Sequence, residues 1–219
     1  MNDFFETNTA QLKHEFPSIQ EINLVHKDFL YRQGETHTHV FWINSGIVKL
    51  SHLTVTGTEI TIALLKKGEV LGYLPNTAGH QAMEETAQAI GNVSCYRMTC
   101  NDFKAMLLQH TQLMWLVFEQ TYVRKHKIER KLRTILTQPV EMRLAATLLE
   151  LAEMFGIQCT HGYALEIHLT QQDVADLIGA SRPVVSTILN DFRNRGMLDY
   201  TRDQICINDA ALVDFYHAK

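Results

Sequence analysis

The chain has 219 residues, of which 46% are hydrophobic and 20% charged. That balance excludes a disordered or fibrous chain and suits two modest domains, each able to bury a core. The formal net charge of −4 excludes a protein held to a polyanion by bulk charge alone.

The N-terminal stretch MNDFFETNTAQLK has neither a basic patch nor an apolar run, so no signal peptide is expected. The longest fully apolar stretch, residues 113–118, is far too short to cross a bilayer. The expected location is the cytoplasm, with no membrane partner. Cys95, Cys100, Cys159 and Cys206 are scattered without a C-x-x-C pair, as free thiols in a reducing compartment are.

Residues 2–16 read as a short helix closed by Pro17. From Ile22 the apolar residues alternate in short runs, cut by turn signals at Gln33-Gly34 and Asn44-Ser45-Gly46. Strands are predicted over 51–55 and 59–65, joined by a hairpin at Thr56-Gly57-Thr58, and further strands over 69–71, 86–89 and 92–98. Many short strands punctuated by glycine predict a β-sandwich or jelly roll.

After Met98 the period becomes helical. Thr99, with Asp102 three residues later, makes a capping box. A long helix is predicted over 112–137. Along it Met114, Phe118, Thr121, Lys125, Ile128, Leu132 and Ile135 recur at four and three residues, a heptad seam interrupted by Arg124-Lys125-His126-Lys127. Pro139 breaks the chain. The next helix carries Val140, Leu144, Leu148, Leu151 and Phe155 on one face and ends at Gly156. A loop and hairpin follow over 157–168.

Residues 169–194 read as two short helices with a tight turn between them. Thr170 is an N-cap, Val174, Leu177 and Ile178 form an apolar face, and Gly179 ends the first helix. Ser181 caps the second, and Pro183 sits in its first turn, where a missing N–H costs nothing. Val184, Val185, Ile188, Leu189 and Phe192 form its apolar stripe. The pattern is that of a DNA-binding helix-turn-helix. Residues 198–201 and 204–207 then alternate as two strands around Arg202-Asp203, and 210–216 form a final helical turn.

The run ADLIGASRPVVSTILNDFRNRGML resembles the recognition segment of the CRP/FNR family of bacterial transcription regulators. Gly34, Gly46, Gly57, Gly68 and Gly72 are similar in spacing to the glycines of that family's β-roll. The resemblance implies an α+β fold in three parts: a cyclic-nucleotide-binding-like β-roll (jelly roll) sensor over 1–111, a dimerisation helix over 112–138, and a winged helix-turn-helix over 139–219. It further implies a homodimer that binds double-stranded DNA at a near-palindromic operator, and RNA polymerase as a partner if the protein is an activator.

The resemblance places Ser181, Arg182 and Pro183 at the base-reading end of the second helix, with Thr187 one turn on and Ser186 and Asn190 next in reach. Arg182 can grip guanine O6 and N7 or hold a phosphate. Better-known members carry an acidic residue at the Pro183 position and an arginine at the Thr187 position, so the familiar operator does not carry over. Proline offers an apolar face, suited to a thymine methyl; threonine offers a hydroxyl and a methyl. Thr170, Gln171 and Gln172 are phosphate candidates, because free N–H groups and the helix dipole favour an anion there. From Thr170 onward seven aspartates face five basic residues, which counts against binding by charge alone.

In members that bind cyclic nucleotides, a Gly-Glu-Leu segment holds the ribose and an Arg-Ser pair before alanine holds the phosphate. Here Gly68-Glu69-Val70 matches the first, with Gly72 beyond it. The second reads Glu85-Thr86-Ala87. An anion beside a phosphate turns attraction into repulsion worth several kcal/mol, to order of magnitude. A small-molecule effector other than a cyclic nucleotide is therefore expected. No cysteine precedes Cys95, which excludes the family's N-terminal iron–sulfur site, and eleven histidines say nothing about haem. Cys95 and Cys100 read as core thiols, with a thiol switch left open.

A different class is a cupin-like metalloenzyme using His37 and His39, an H-x-H step on one strand face. The following Val40-Phe41-Trp42-Ile43 supplies no carboxylate, and the surroundings of His80 do not match a distant ligand. No catalytic residue, metal or cofactor is assigned.

Overall fold

The structure is a computed structural model that describes residues 3–36, 38–72, 82–160, 162–165, 167, 169–201 and 204–217. The chain divides into two compact units, Met1–Lys127 and Ile128–Lys219.

The first unit opens with α1 (Asp3–Glu15) and continues through β1 (Gln20–Leu24), β2 (Phe29–Tyr31), β3 (His39–Leu53), β4 (Glu59–Leu65), β5 (Val70–Gly72), β6 (Thr86–Thr99) and α2 (Cys100–Gln109). All the strand pairings are antiparallel. Along the main path the order is β1-β6-β3-β4, with β2 on β6 and β5 on β3. The long pair β3 and β6 is the spine of the sheet, running from His39 opposite Thr99 to Ser51 opposite Thr86.

Alternation gives the start of β3 two buried faces. Phe41 and Ile43 join a core with Tyr31, Leu50, Leu65, Leu71 and Val93. Val40 and Trp42 point the other way, into a second core with Leu12, Phe16, Met98, Phe103, Met106 and Leu113. Strands buried on both faces read as continuous apolar runs, as residues 40–43 do. The helix after β6 starts as expected: the Thr99 hydroxyl accepts from the Asp102 N–H at 3.2 Å.

Two predicted turns are bulges or kinks inside long strands. Asn44-Ser45-Gly46 lies within β3, where the register against β6 shifts between Ile43 and Ser45 and again between Ser45 and Ile47. A bulge takes the same residue types as a turn and bends the strand without ending it. Similarly, the two strands expected over 86–89 and 92–98 are the single strand β6, which passes through Gly91 at φ 70°.

The helix α3 (Thr111–Thr137) crosses the division between the units. Its large exposed apolar residues are Met114, Trp115, Phe118, Tyr122, Val123, Ile128, Leu132 and Leu136. The exposed stripe differs from the predicted seam by one residue at three positions, Tyr122 for Thr121, Glu129 for Ile128 and Leu136 for Ile135: Leu136 is 74% exposed, while Ile135 is half-buried, beside Gly179. Phe118, Tyr122, Lys125, Glu129, Leu132 and Leu136 now keep the spacing of four and three.

The second unit contains α4 (Val140–Phe155), β7 (Ile157–Cys159), β8 (Gly162–Leu165), α5 (Gln171–Ile178), α6 (Arg182–Asn194), β9 (Leu198–Tyr200), β10 (Ile205–Ile207) and α7 (Asp209–His217). Its antiparallel sheet runs β7-β8-β10-β9. Met142, Leu144, Ala145, Leu148, Leu151 and Ala152 of α4 are buried. The expected final turn is a nine-residue helix, because Leu212 and Phe215 give it a buried face and Phe215 packs edge-on against Phe192 at 5.2 Å.

Gly46 generates a stability prediction. Its φ is 86°, and an added Cβ would meet Asn92 O at 2.3 Å and Val93 Cα at 2.9 Å. Gly57 has a similar φ of 82° with open space around it. Gly57→Ala should cost about 1–2 kcal/mol in urea unfolding, from the backbone alone. Gly46→Ala should cost about 2–5 kcal/mol, because steric overlap adds to the strain.

Candidate nucleic-acid interface and sensor pocket

The first helix of the motif and the turn after it are fixed by three features. At the start of α5 the Thr170 hydroxyl accepts from the Asp173 N–H at 3.0 Å, while the Asp173 carboxylate accepts from the Thr170 N–H at 2.9 Å and the Thr170 hydroxyl at 2.6 Å. Asp173 is only 8% exposed, so the pair serves the cap. At the other end Gly179 takes the left-handed conformation, φ 64° and ψ 47°, and turns the chain into α6. Arg143 of α4 donates to the Ile178 carbonyl at 2.7 Å and the Gly179 carbonyl at 3.3 Å. It satisfies acceptors that the end of α5 would otherwise leave open. Sequence reasoning missed Arg143, since nothing in a helical arginine announces a partner 35 residues away.

Val185, Leu189 and Phe192 are the buried residues of α6. The opposite side carries Arg182, Pro183, Val184, Thr187 and Asn190, all exposed. Val184 belongs to this side and not to the apolar stripe expected from the sequence, for it is 42% exposed. Ser181 is exposed at the N-cap, where its side chain makes no capping bond. Ser186 is half-buried on the flank.

Several of these groups are already engaged. The Thr187 hydroxyl donates to the Pro183 carbonyl at 3.0 Å. The Asn190 side-chain carbonyl accepts from the Tyr200 hydroxyl of the wing at 2.9 Å. Arg193 pairs with Asp199 at 2.8 Å and Arg195 with Asp191 at 3.2 Å. Both pairs are exposed, so they contribute little stability, but they neutralise cations beside the helix. Arg182 takes part in no such contact among the described residues. Thr170 and Gln172, expected to hold phosphate, are exposed, with their side chains engaged in bonds to the helix itself. The Thr170 hydroxyl caps the helix and the Gln172 amide donates to Asp176 at 2.7 Å. Gln171 is half-buried beside them. The wing residues Arg202 and Asp203 lie outside the described residues.

The effector candidates are each engaged within the sheet and its turns, and Glu85 and the Gly72 backbone both meet the Tyr31 hydroxyl. The Glu69 carboxylate accepts from the Lys66 N–H at 2.8 Å, and Gly68 donates to the Ile43 carbonyl at 2.8 Å. These two residues build the turn before β5. Gly72, at φ 109°, lets β5 approach β3, for a Cβ there would meet His39 O at 2.6 Å. The Thr86 hydroxyl accepts from the Gln33 N–H at 3.0 Å. Only Glu85 lines the cavity on this unit, about 400 Å³ in volume, together with Gln33, His52, Ile62, Met83 and Glu84. The Glu85 carboxylate accepts from the Tyr31 hydroxyl at 3.0 Å. Burial raises the Tyr31 pKa, and the negative charge of Glu85 raises it further, so Tyr31 stays a neutral donor.

Cys95 is fully buried and its thiol is pushed up to about 12 by desolvation; Cys100 is raised for the same reason. Reactive thiols have lowered values. His37 and His80, two members of the metalloenzyme set, lie outside the described residues. Among the described residues no three His, Cys, Asp or Glu side chains form a metal-binding group.

Two family models match the chain in succession: the cyclic nucleotide-binding domain over residues 21–110 and the Crp-like helix-turn-helix domain over residues 142–213. The chain belongs to the CRP/FNR family of DNA-binding transcription regulators. Its relatives include the global nitrogen regulator of Nostoc sp., 27% identical over 88% of this chain and 86% of the relative. The anaerobic regulatory protein of Bacillus subtilis is 25% identical over 78% of this chain and 71% of that one. A CooA mutant from Carboxydothermus hydrogenoformans has the same fold, with a TM-score of 0.78 and 20% identity over 99% of this chain and 96% of that chain. In this CRP/FNR member, Arg143 should be worth stability without touching DNA. Arg143→Met should lower the urea stability of the C-terminal unit by about 1.5–3 kcal/mol, the range for a hydrogen bond from a charged donor.

Proposed function

We propose that the protein acts as a homodimer on a near-palindromic operator, with DNA affinity set by a small effector other than a cyclic nucleotide. The parts are a sensor over 1–111, a dimerisation helix over 112–138 and a DNA-binding unit over 139–219. Arg182, Ser181, Pro183, Thr187, Ser186 and Asn190 face the major groove, and the N–H groups at the start of α5, near Thr170, Gln171 and Gln172, hold a phosphate. RNA polymerase is a further partner if the protein activates. Among the described residues no helix is long and apolar enough to cross a membrane, which agrees with action on DNA in the cytoplasm.

The observation that carries this reading is the bare side of α3. Leu132 is 57% and Leu136 74% exposed, and Phe118 and Tyr122 are more than half exposed. A helix about 40 Å long with aromatic and leucine side chains in one stripe has an interface to fill. Its spacing of four and three matches a parallel two-stranded seam, in which a second copy of the same stripe is the complement. Selection of bound sequences from random duplex DNA is the test. It should return inverted half-sites about one helical turn apart, roughly 10–10.5 bp centre to centre. A single unrepeated half-site would contradict the dimer.

The pocket argues against cyclic nucleotides. A phosphate placed beside Glu85 would meet a carboxylate, and displacing that carboxylate would strip buried Tyr31 of its acceptor. A ligand shifts an equilibrium only by its differential affinity for the two states. Calorimetric titration with cyclic AMP and cyclic GMP should therefore give no heat at micromolar levels. A micromolar signal abolished by Glu69→Ala would overturn this account of Glu85.

A further inference from the structure

We propose that the first two turns of α6 read thymine through its 5-methyl group, with Pro183, Val184 and Thr187 as the contacting side chains. The inference rests on the regulator reading above and names the chemistry its recognition helix selects.

Three observations converge. Val184 lies on the open side of α6, 42% exposed, between Pro183 and Thr187. Val184 is not among the buried residues of α6, which are Val185, Leu189 and Phe192. Thr187 donates its hydroxyl to the Pro183 carbonyl at 3.0 Å. A threonine whose oxygen turns back to the residue four before presents its γ-methyl elsewhere. The hydroxyl is thus committed to the helix, and the methyl is the group left to show outward. Pro183, exposed in the first turn, adds a ring that can neither donate nor, through its engaged carbonyl, accept freely.

The reading end therefore presents a continuous apolar surface between Arg182 and Asn190. Adenine is ordinarily read by a bidentate amide, which needs both its oxygen and its nitrogen. The Asn190 oxygen already accepts from Tyr200, which ties the amide to the wing and leaves one lone pair on its oxygen. Among the four bases, thymine alone puts a methyl group in the major groove. An apolar surface at the N-terminal end of a recognition helix has that group as its natural partner.

The test uses the full chain and the operator obtained by selection. Thymines are replaced singly by deoxyuridine, which removes the methyl and leaves every hydrogen-bonding group in place. At one or two positions per half-site the affinity should fall about fourfold, the value of one buried methyl at about 0.8 kcal/mol. Replacement in both half-sites should compound the loss. Val184→Ala or Thr187→Ser should abolish the sensitivity at its own position; the serine keeps the hydroxyl and loses only the methyl. An unchanged thermal unfolding midpoint shows that the variants are folded. Uniform binding of every deoxyuridine duplex would overturn the proposal, as would full sensitivity retained in both variants. Failure to select any sequence would overturn the regulator reading itself, and is distinguishable because no operator would exist.

Discussion

The DNA-binding unit depends on one constraint: α6 can bury only one side. Val185, Leu189 and Phe192 are sealed inside, each worth about 1.5–3 kcal/mol of transfer free energy. Rotating the helix would expose all three together. That cost fixes the rotation, and the rotation decides which residues face outward. The capped start of α5, the left-handed Gly179 and the Arg143 clamp then fix the angle between the two helices. The reading face is thus what remains after the core has been satisfied. Its composition is informative because the core does not dictate it.

The charges around this face agree with its chemistry. The chain is net negative, and Arg193 and Arg195 are each paired with an aspartate. Counterion release, the usual source of sequence-independent affinity, scales with the number of phosphates neutralised. With Arg193 and Arg195 paired among the described residues, the proposed reading places more of the affinity in contacts to base edges. The sensor unit follows similar logic. Gly68, Glu69 and Gly72 serve turn and strand packing. Glu85, where a phosphate-binding cation would stand, is tied to Tyr31.

Local signals were the legible ones. Thr170, Gly179 and Pro183 announced the helix-turn-helix because caps and breakers act on their immediate neighbours. The β-roll was legible through glycine spacing and alternation. Asn44-Ser45-Gly46 misled, since a bulge and a turn demand the same residues and differ only in what pairs across the sheet. Val184 was assigned to the apolar stripe because valine fits either side of a short helix; only packing shows that Val185 took the inside. The Tyr200–Asn190 and Arg143–Ile178 bonds join separate elements, and no local pattern encodes such pairs. The cavity beside Glu85 has the same origin: its walls come from β3, β4, the segment after β2 and the segment before β6.

The central claim is that the outward side of α6 enters the major groove once in each half of the operator. Tethered cleavage tests it most directly. The half-exposed Cys159 and Cys206 would be changed to serine, and Asn194→Cys, at the exposed end of α6, would carry an iron chelate. The account predicts two symmetric clusters of strand breaks, one per half-site, in the bound operator. Breaks scattered evenly along the duplex, or their absence while the DNA remains bound, would contradict it.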